Sequence, residues 1–502
     1  MKICKKEAMV KRYILPIILL FTMGMSNTFA QENISMYNMR TLPQTSKLNP
    51  AFQPDYNGHV GGLITVITPV FGQITPNIDL NFHSSSFGYD DFIYKGSGVY
   101  SDSLVWAFNN HEDAVKFVDK LDEVNHLSVD FNLNILNVGF RTRDIYWNLT
   151  ISNKTALRAS FPGGLMELIV KGNASPDISS NVNLSGLGVD AMNYMEYGIG
   201  ASRKILPELT VGVRLKALAG LANVETVKTD LHLGTYENEM VLESDIHMRM
   251  SQPAVVLEDF YYDFEGDSLI SETTEQETDE IISDLGYDFA NPGMAIDIGA
   301  EYDVMPEVKV FASVTDIGYI KWNTNVAEVK GGGKFRFEGI DAVEYLDDND
   351  DSTEDPDMGD TYQDSLLKVF DVKKTDTDSY KTWMPSRLYL GGTYQLTDAI
   401  GFGALYRGTF YTDDYNSAFS LSANANLEFL SASLTYTMME DNFDNIGIGI
   451  AGRVGPFQMY VVSDHVLEEI FPQTARDVNI RMGLNWLIGY KRDRAALIEP
   501  TY

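Results

Sequence analysis

The chain has 502 residues, a formal net charge of −33 and a single cysteine. A protein this acidic repels the phosphate backbone of nucleic acids, which excludes them as partners. Nothing after residue 30 reaches the roughly eighteen consecutive apolar residues of a spanning helix, so any membrane crossing has to use strands.

The first thirty residues predict an export signal. Several lysines precede a short apolar core at 13–23, and Ala30 offers a small residue for cleavage, so the mature chain is expected to start at Gln31. Cys4 precedes the apolar core, whereas the cysteine of a lipoprotein follows it, so we expect no lipid anchor. The mature chain then contains no cysteine and can form neither a disulfide nor a thiolate metal site.

Many later segments alternate apolar and polar residues with a period of two, which predicts strands that have one apolar face. One phase slip, after Ile135, is typical of a β-bulge. The segments are 129–140, 145–152, 209–217, 294–302, 388–394, 402–410, 419–427, 430–438, 446–450, 457–461 and 478–488.

Connection lengths decide between lipid and a second sheet as the cover for that apolar face. Connections of a few residues, such as 396–399 and 454–455, alternate with long polar ones at 253–290 and 339–385. Tight turns on one rim and long loops on the other indicate a membrane barrel, whereas soluble sandwiches would repeat about every hundred residues. The sequence therefore predicts an all-β, closed antiparallel transmembrane β-barrel, for which roughly fourteen to eighteen candidate strands can be counted.

Elements outside the wall are also predicted. Short helices are expected at 111–124 and 164–170, and hairpins that extend beyond the membrane at 223–250 and 325–338. The polar faces of the strands predict a charged lumen, because lysine and glutamate are scarce there and single charges recur. The residues expected to face it are Asp130, Arg214, Lys216, Asp297, Arg387, Arg407 and Arg481.

The sequence predicts no catalytic, cofactor or metal site. No two of the seven histidines have metal-ligand spacing, and Ser463, Asp464 and His465 are adjacent, which prevents triad geometry. The acidic run at 347–360 offers oxygen ligands for calcium but lacks the glycine and closing glutamate of an EF-hand loop, so a solvated loop is favoured.

Two short motifs carry a resemblance to a known family. Residues 48–52 read Leu-Asn-Pro-Ala-Phe just before the first strand, and 383–394 form a proline-led strand that ends in Gly-Gly-Thr-Tyr. The chain thereby resembles the FadL-like and PorV-like outer-membrane barrels, and its layout is similar to that of an uncharacterised family of Bacteroidota. The resemblance implies a fourteen-stranded barrel whose segment 31–58 enters the lumen as a hatch, with Asn49, Pro50 and Ala51 as its motif.

Four regions are expected: the signal 1–30, the hatch 31–58, the barrel 59–490 and a tail 491–502. The expected function is passage of a small molecule, with hydrophobic molecules among the candidates, across the Gram-negative outer membrane. The alternative is a non-transporting scaffold that docks secreted or surface proteins. Expected partners are outer-membrane lipid, an unidentified small ligand or surface protein, and the barrel-assembly machinery; no enzymatic activity is expected.

The acidic loop 343–362 is expected to be dispensable for folding and exposed outside the cell, because it has few apolar residues to bury. Protease added to intact cells should cut there first, as mapped by mass spectrometry of the fragments. Protection in intact cells, with cleavage only after lysis, would invert the predicted topology.

Overall fold

The computed structural model describes residues 33–62, 77–95, 104–172, 181–236, 239–251, 289–337, 373–376, 379–411, 415–439, 445–467 and 476–489. The predicted signal, the tail and the protease-sensitive loop lie outside these residues. So does the acidic run considered for calcium.

The described residues form twenty-two strands, of which twenty belong to one sheet. In chain order they are β1 (Gly58–Gly61), β2 (Asn77–Ser84), β3 (Ile93–Lys95), β4 (Leu104–Trp106), β5 (Val124–Thr142), β6 (Ile145–Pro162), β7 (Asn181–Asn183), β8 (Gly188–Leu206), β9 (Leu209–Thr235), β10 (Met240–Ser251), β11 (Asn291–Met305), β12 (Val308–Trp322), β13 (Val326–Phe337), β14 (Lys373–Asp376), β15 (Tyr380–Trp383), β16 (Ser386–Gln395), β17 (Ile400–Phe410), β18 (Tyr415–Asn426), β19 (Leu430–Met439), β20 (Asn445–Val454), β21 (Phe457–Ser463) and β22 (Asp477–Ile488). The helices are α1 (Ile34–Tyr37), α2 (Tyr89–Phe92), α3 (His111–Val118) and α4 (Gly163–Lys171).

The large sheet closes on itself. β22 pairs with β1 and β2, and both of these pair with β5 on their other side. Several strands lie end to end in one wall position: β1 with β2, β7 with β8, β10 with β11, β12 with β13, and β14 to β16. The result is a closed antiparallel barrel with fourteen strands around the wall, which confirms the predicted fold and the count of fourteen strands.

The alternation of the sequence appears as alternation of burial. On β19, Leu434 is 53% exposed on the outer surface, whereas its neighbour Thr435 is 0% exposed on the lumen side. The other wall strands likewise expose Leu, Ile, Phe and Val outward. Lipid covers this outer face, so the barrel needs no second apolar layer of its own.

Two of the register shifts in the wall bear on the predictions and on the lumen. The expected bulge after Ile135 is confirmed, because the β5–β6 register shifts between Asn134 and Leu136. A second bulge was not predicted. On β12, Thr315 and Asp316 lie opposite the single residue Asp297 of β11, and the φ of Asp316 is +60°. Bulges turn side chains that simple alternation would place elsewhere, and Asp316 is consequently buried in the lumen.

Three predicted boundaries shift. The helix expected over 111–124 ends at Val118, because a turn in which the Asp122 N–H bonds Asn125 Oδ1 leads directly into β5. The insertion expected at 339–385 ends earlier, since β14 and β15 fall within it. The helix expected at 164–170 is α4.

One rim of the barrel carries a strand extension, as expected. β9 is 27 residues long, pairs with β11 over 209–220 and then with β10 over 223–235. About ten residues suffice to cross a bilayer, so the second half of β9 rises with β10 and β13 beyond the rim that carries the long loops. Among the helices within the described ranges, none has the length and apolar character needed to cross a bilayer.

Replacing Leu434 by arginine should cost about 2–4 kcal/mol of folding free energy, because the charge would face lipid near mid-depth. Thr435 is too tightly packed to serve as the matched site, so the control is Asn132→Arg, which points into the cavity described below. Urea unfolding of the refolded barrels in lipid measures both values. Equal losses at the two positions would contradict the assignment of the outer face.

Candidate functional site

The N-terminal segment, residues 33–57, lies inside the barrel. Near its start the Ser35 N–H donates to Asp464 Oδ1 at 2.7 Å, and at its end the Asn57 N–H bonds Ile488 O beside the short turns. Most side chains between these points are buried against inward-facing wall residues. The segment therefore fills the part of the lumen nearest the short-turn rim.

Aromatic packing anchors this segment. The Tyr37 ring lies 4.9 Å from Tyr389, 5.2 Å from Phe311 and 5.1 Å from Phe52, measured between centroids. Burial raises the pKa of the Tyr37 hydroxyl well above its usual value, so the group stays protonated and pairs with Ser313. The apolar cluster around these rings is Ile34, Met36, Tyr37, Met39, Leu42, Leu48 and Phe52 from the segment, with Phe311, Tyr389, Leu405, Ala418, Met439, Ala451, Tyr460 and Val462 from the wall.

Polar contacts also attach the N-terminal segment to the wall strands. Arg40 forms an ion pair with Glu301 and lies over the Phe52 ring, 3.3 Å from its centroid. The Gln44 and Asn485 amides bond each other reciprocally, at 2.7 and 3.2 Å. The segment is thus attached to strands on several sides of the lumen.

The predicted hatch motif makes specific contacts. The Asn49 amide donates to Tyr37 Oη at 3.1 Å and to Ala312 O at 3.4 Å, while its Oδ1 accepts the Ala51 N–H at 2.9 Å. Pro50 fixes the chain direction between them. These contacts hold the motif against the wall; its role as a hatch stays a prediction.

Inward glycines make room for the motif. Gly212 on β9 and Gly299 on β11 are register partners, and a Cβ would lie 2.1 Å from Pro50 O at the first and 2.0 Å from Asn49 Oδ1 at the second. Sequence reasoning missed this groove, although glycine at inward positions of alternating strands was the available signal. Three further inward glycines approach the segment in the same way: Gly403, Gly447 and Gly449.

A cavity of about 440 Å³ lies between the segment and the long-loop rim. Its floor is made by Asn33, Met36, Gln44, Lys47 and Leu48, and its walls come mainly from β2, β5, β6, β8 and β9. This volume falls within the range of small-molecule sites in proteins.

A charge network lies at the base of this cavity. Lys216 Nζ is 2.6 Å from Asp316 Oδ1 and 2.8 Å from Asp297 Oδ2, and Lys154 Nζ is 2.7 Å from Glu196 Oε2. These charges are paired and hydrogen-bonded, which a buried charge requires.

The structure places the seven predicted lumen charges on inward positions but in separate groups. Four belong to the network just described: Arg214, Lys216, Asp297 and Arg387. Asp130 lines the cavity wall, Arg481 pairs with Asp464 at 2.8 Å and Asp79 at 3.1 Å, and Arg407 bonds Asn416 at 3.2 Å.

Sequence reasoning missed three members of the network. Lys154 and Glu196 are single charges on the polar face of strands, the same signal that identified the others. Asp316 gave no signal, because the bulge removes it from the alternation. Within the described part of the chain, no group of three His, Cys, Asp or Glu side chains is arranged to hold a metal ion.

Comparisons with known proteins give one family and several distant structures. The family model described as "Family of unknown function (DUF5723)" matches residues 50–464. No curated protein matches the chain at a significant level.

Solved structures similar to the chain include the toluene transporter TbuX of Ralstonia pickettii (9% identity, 93% of this chain and 97% of that one, TM-score 0.41). The toluene transporter TodX of Pseudomonas putida is another (8%, 92% and 93%, 0.35). A third is a Pseudomonas aeruginosa FadL homologue (8%, 90% and 95%, 0.37). FadL-family proteins are thus among the similar structures, as the motifs predicted, but likeness this distant establishes no function. The Bacteroidota affiliation stays a prediction.

Replacing Gly299 by valine should displace the Asn49–Pro50 turn, because the added Cβ would overlap Asn49 Oδ1. Backbone amides of residues 33–57 should exchange faster with deuterium, while those of the wall strands stay protected. Gly452→Val is the matched control, since a Cβ at Gly452 would have no neighbour within 4 Å. Unchanged exchange in the Gly299 variant would contradict the groove.

Proposed function

The chain belongs to the DUF5723 family, and we propose that it mediates the passage of a small molecule across the outer membrane, with the N-terminal segment as its gate. One observation carries the proposal. The lumen is divided into a cavity of molecular size on the long-loop side and, on the short-turn side, a filling that is not part of the wall.

The gate is separable from the wall. Within the described residues, the backbone of 33–56 forms its backbone-to-backbone hydrogen bonds only within itself, whereas the wall ladder closes between β22 and β1. The segment is held through side chains and by side-chain bonds to its backbone, such as Ser313 Oγ to Leu48 O at 2.8 Å. Its displacement would therefore break no ladder bond.

The orientation follows from the rims. Outer-membrane barrels place short turns in the periplasm and long loops outside the cell. The cavity would then open towards the medium, and the N-terminal segment would close the periplasmic side. Export through a signal cleaved after Ala30 belongs to the same proposal.

Two of the similar structures are described as toluene transporters, but their likeness to this chain is too distant to indicate which molecule passes through it. Aromatic side chains such as Tyr194, Tyr389 and Trp383 line the cavity, but charged ones are as prominent. The lining therefore does not require a hydrophobic ligand. The alternative of a docking scaffold finds no support in the comparisons.

Deleting residues 33–54 while keeping the signal and its cleavage site should raise conductance in planar bilayers. The reason is that the deletion empties the short-turn half of the lumen but leaves every wall hydrogen bond in place. Heat-modifiable migration on mild gels checks that the truncated barrel is folded. A folded variant that conducts no more than the parent would overturn the gate.

A further inference from the structure

The floor residue Lys47 and the charge network at the base of the cavity, together called the charged floor, contain more basic than acidic side chains. Five cationic groups meet there: Lys47, Lys154, Arg214, Lys216 and Arg387. They face three carboxylates: Glu196, Asp297 and Asp316. This excess of cations occurs inside a chain whose formal net charge is −33.

Three of the cations account for most of the carboxylate contacts. Lys154 Nζ is 2.7 Å from Glu196, and Lys216 Nζ lies within 2.8 Å of both Asp297 and Asp316. Asp316 also accepts from Arg387 Nη1 at 2.8 Å. These three cations thus hold the shortest contacts to the carboxylates, at 2.6 to 2.8 Å.

Lys47 and Arg214 have weaker partners. Among the described residues, the contact of the Lys47 ammonium is a long one, 3.4 Å to Ser152 Oγ. Arg214 is only 1% exposed and donates from Nη2 to Asn148 Oδ1 at 2.6 Å, but its nearest carboxylate oxygen, on Asp297, is 3.7 Å away. Within the described part of the chain, the Arg214 Nε finds no hydrogen-bond partner. Lys47 and Arg214 both line the cavity, so the two groups belong to one site. Burial lowers the pKa of the Lys47 ammonium to about 7, so an anion bound beside it would favour its charged form.

Four further carboxylates line the cavity, those of Asp79, Asp130, Asp190 and Glu225, and two further cations, Arg158 and Arg481, line it with them. Asp79 pairs with Arg481 at 3.1 Å, and Asp190 accepts the Thr226 N–H at 2.9 Å. Asp130 and Glu225 also have interaction partners of their own. The excess at the floor is therefore a local property.

We propose that this floor binds the anionic group of a compact polar solute, a carboxylate or a phosphate, and that the barrel selects anions for this reason. The inference deepens the proposed function and rests on it for the step of passage. Arginine and lysine are the side chains that recognise carboxylate and phosphate, and they line anion- and phosphate-selective pores. A cavity of about 440 Å³ limits the solute to small-molecule size.

The test compares solutes of one size that differ in charge. Proteoliposomes that contain the full-length mature barrel receive radiolabelled gluconate, sorbitol or glucamine, with sorbitol 6-phosphate as the phosphate arm. Gluconate or sorbitol 6-phosphate should enter faster than sorbitol, and glucamine slowest; which of the two anions leads identifies the preferred group. Equal rates, or fastest entry of glucamine, would overturn the inference and leave passage standing.

Binding separates the two proposals if nothing enters. Gluconate that binds the detergent-solubilised barrel by calorimetry without entering vesicles would refute passage and support the anion site. Absence of both binding and entry would refute both.

Lys47 tests the site without removing a partner from any carboxylate. At pH 6, below the pKa of about 7 to which burial lowers Lys47, the ammonium is charged. Under this condition Lys47→Gln should lower the ratio of gluconate to sorbitol entry by roughly fivefold, the effect of one unit charge acting at about 4 Å across water. Lys47→Arg should retain the ratio. Lys116→Gln on the exposed helix α3 removes a lysine outside the lumen and serves as the control. A ratio that is unchanged in Lys47→Gln would overturn the role of the floor.

Discussion

Lipid cannot hydrogen-bond to the backbone, and the rest of this structure depends on that constraint. Every N–H and C=O at membrane depth has to find a partner within the protein, which forces the strands into a closed ladder. Closure fixes the direction of each side chain, so the outer face has to be apolar throughout. Variation that could support a function is therefore confined to the lumen and the rims. Both the charge network around Lys216 and the groove at Gly212 and Gly299 lie on the lumen side.

The N-terminal segment occupies the lumen as a docked element and not as part of the ladder. Burial of apolar side chains such as Tyr37 and Phe52 favours the docked state, whereas the loss of backbone freedom along the segment opposes it. Among the described residues, no backbone-to-backbone hydrogen bond joins residues 33–56 to the wall, so undocking would leave the ladder intact. Glycines on the wall bring the segment's backbone close enough for the aromatic and polar contacts to form. A segment attached in this way could be displaced as the proposed gate requires, whereas a strand of the ladder could not.

The sequence predicted the wall well because strand alternation is a local pattern. It located the lumen charges Arg214, Lys216 and Asp297, and it placed the bulge after Ile135 from the phase slip alone. Three features escaped because they depend on the tertiary structure. Asp316 enters the charge network only through a bulge. The pairing of Gly212 with Gly299 requires the register. The N-terminal segment appeared polar because its apolar residues follow no period, yet they form the cluster around Tyr37.

The charge of the whole chain and the charge of the cavity floor act over different distances. At physiological ionic strength, exposed charges are screened within about 8 Å, so acidic side chains in solvated loops hardly influence a group deep in the lumen. Lys47 and Arg214 are influenced mainly by the charged groups around them. In that group, which includes both residues, five basic side chains face three carboxylates. Uncompensated charge away from bulk water is costly. An anion seated at the floor would relieve that cost. The anion selectivity proposed for this barrel would therefore depend on a few inward side chains and not on its net charge.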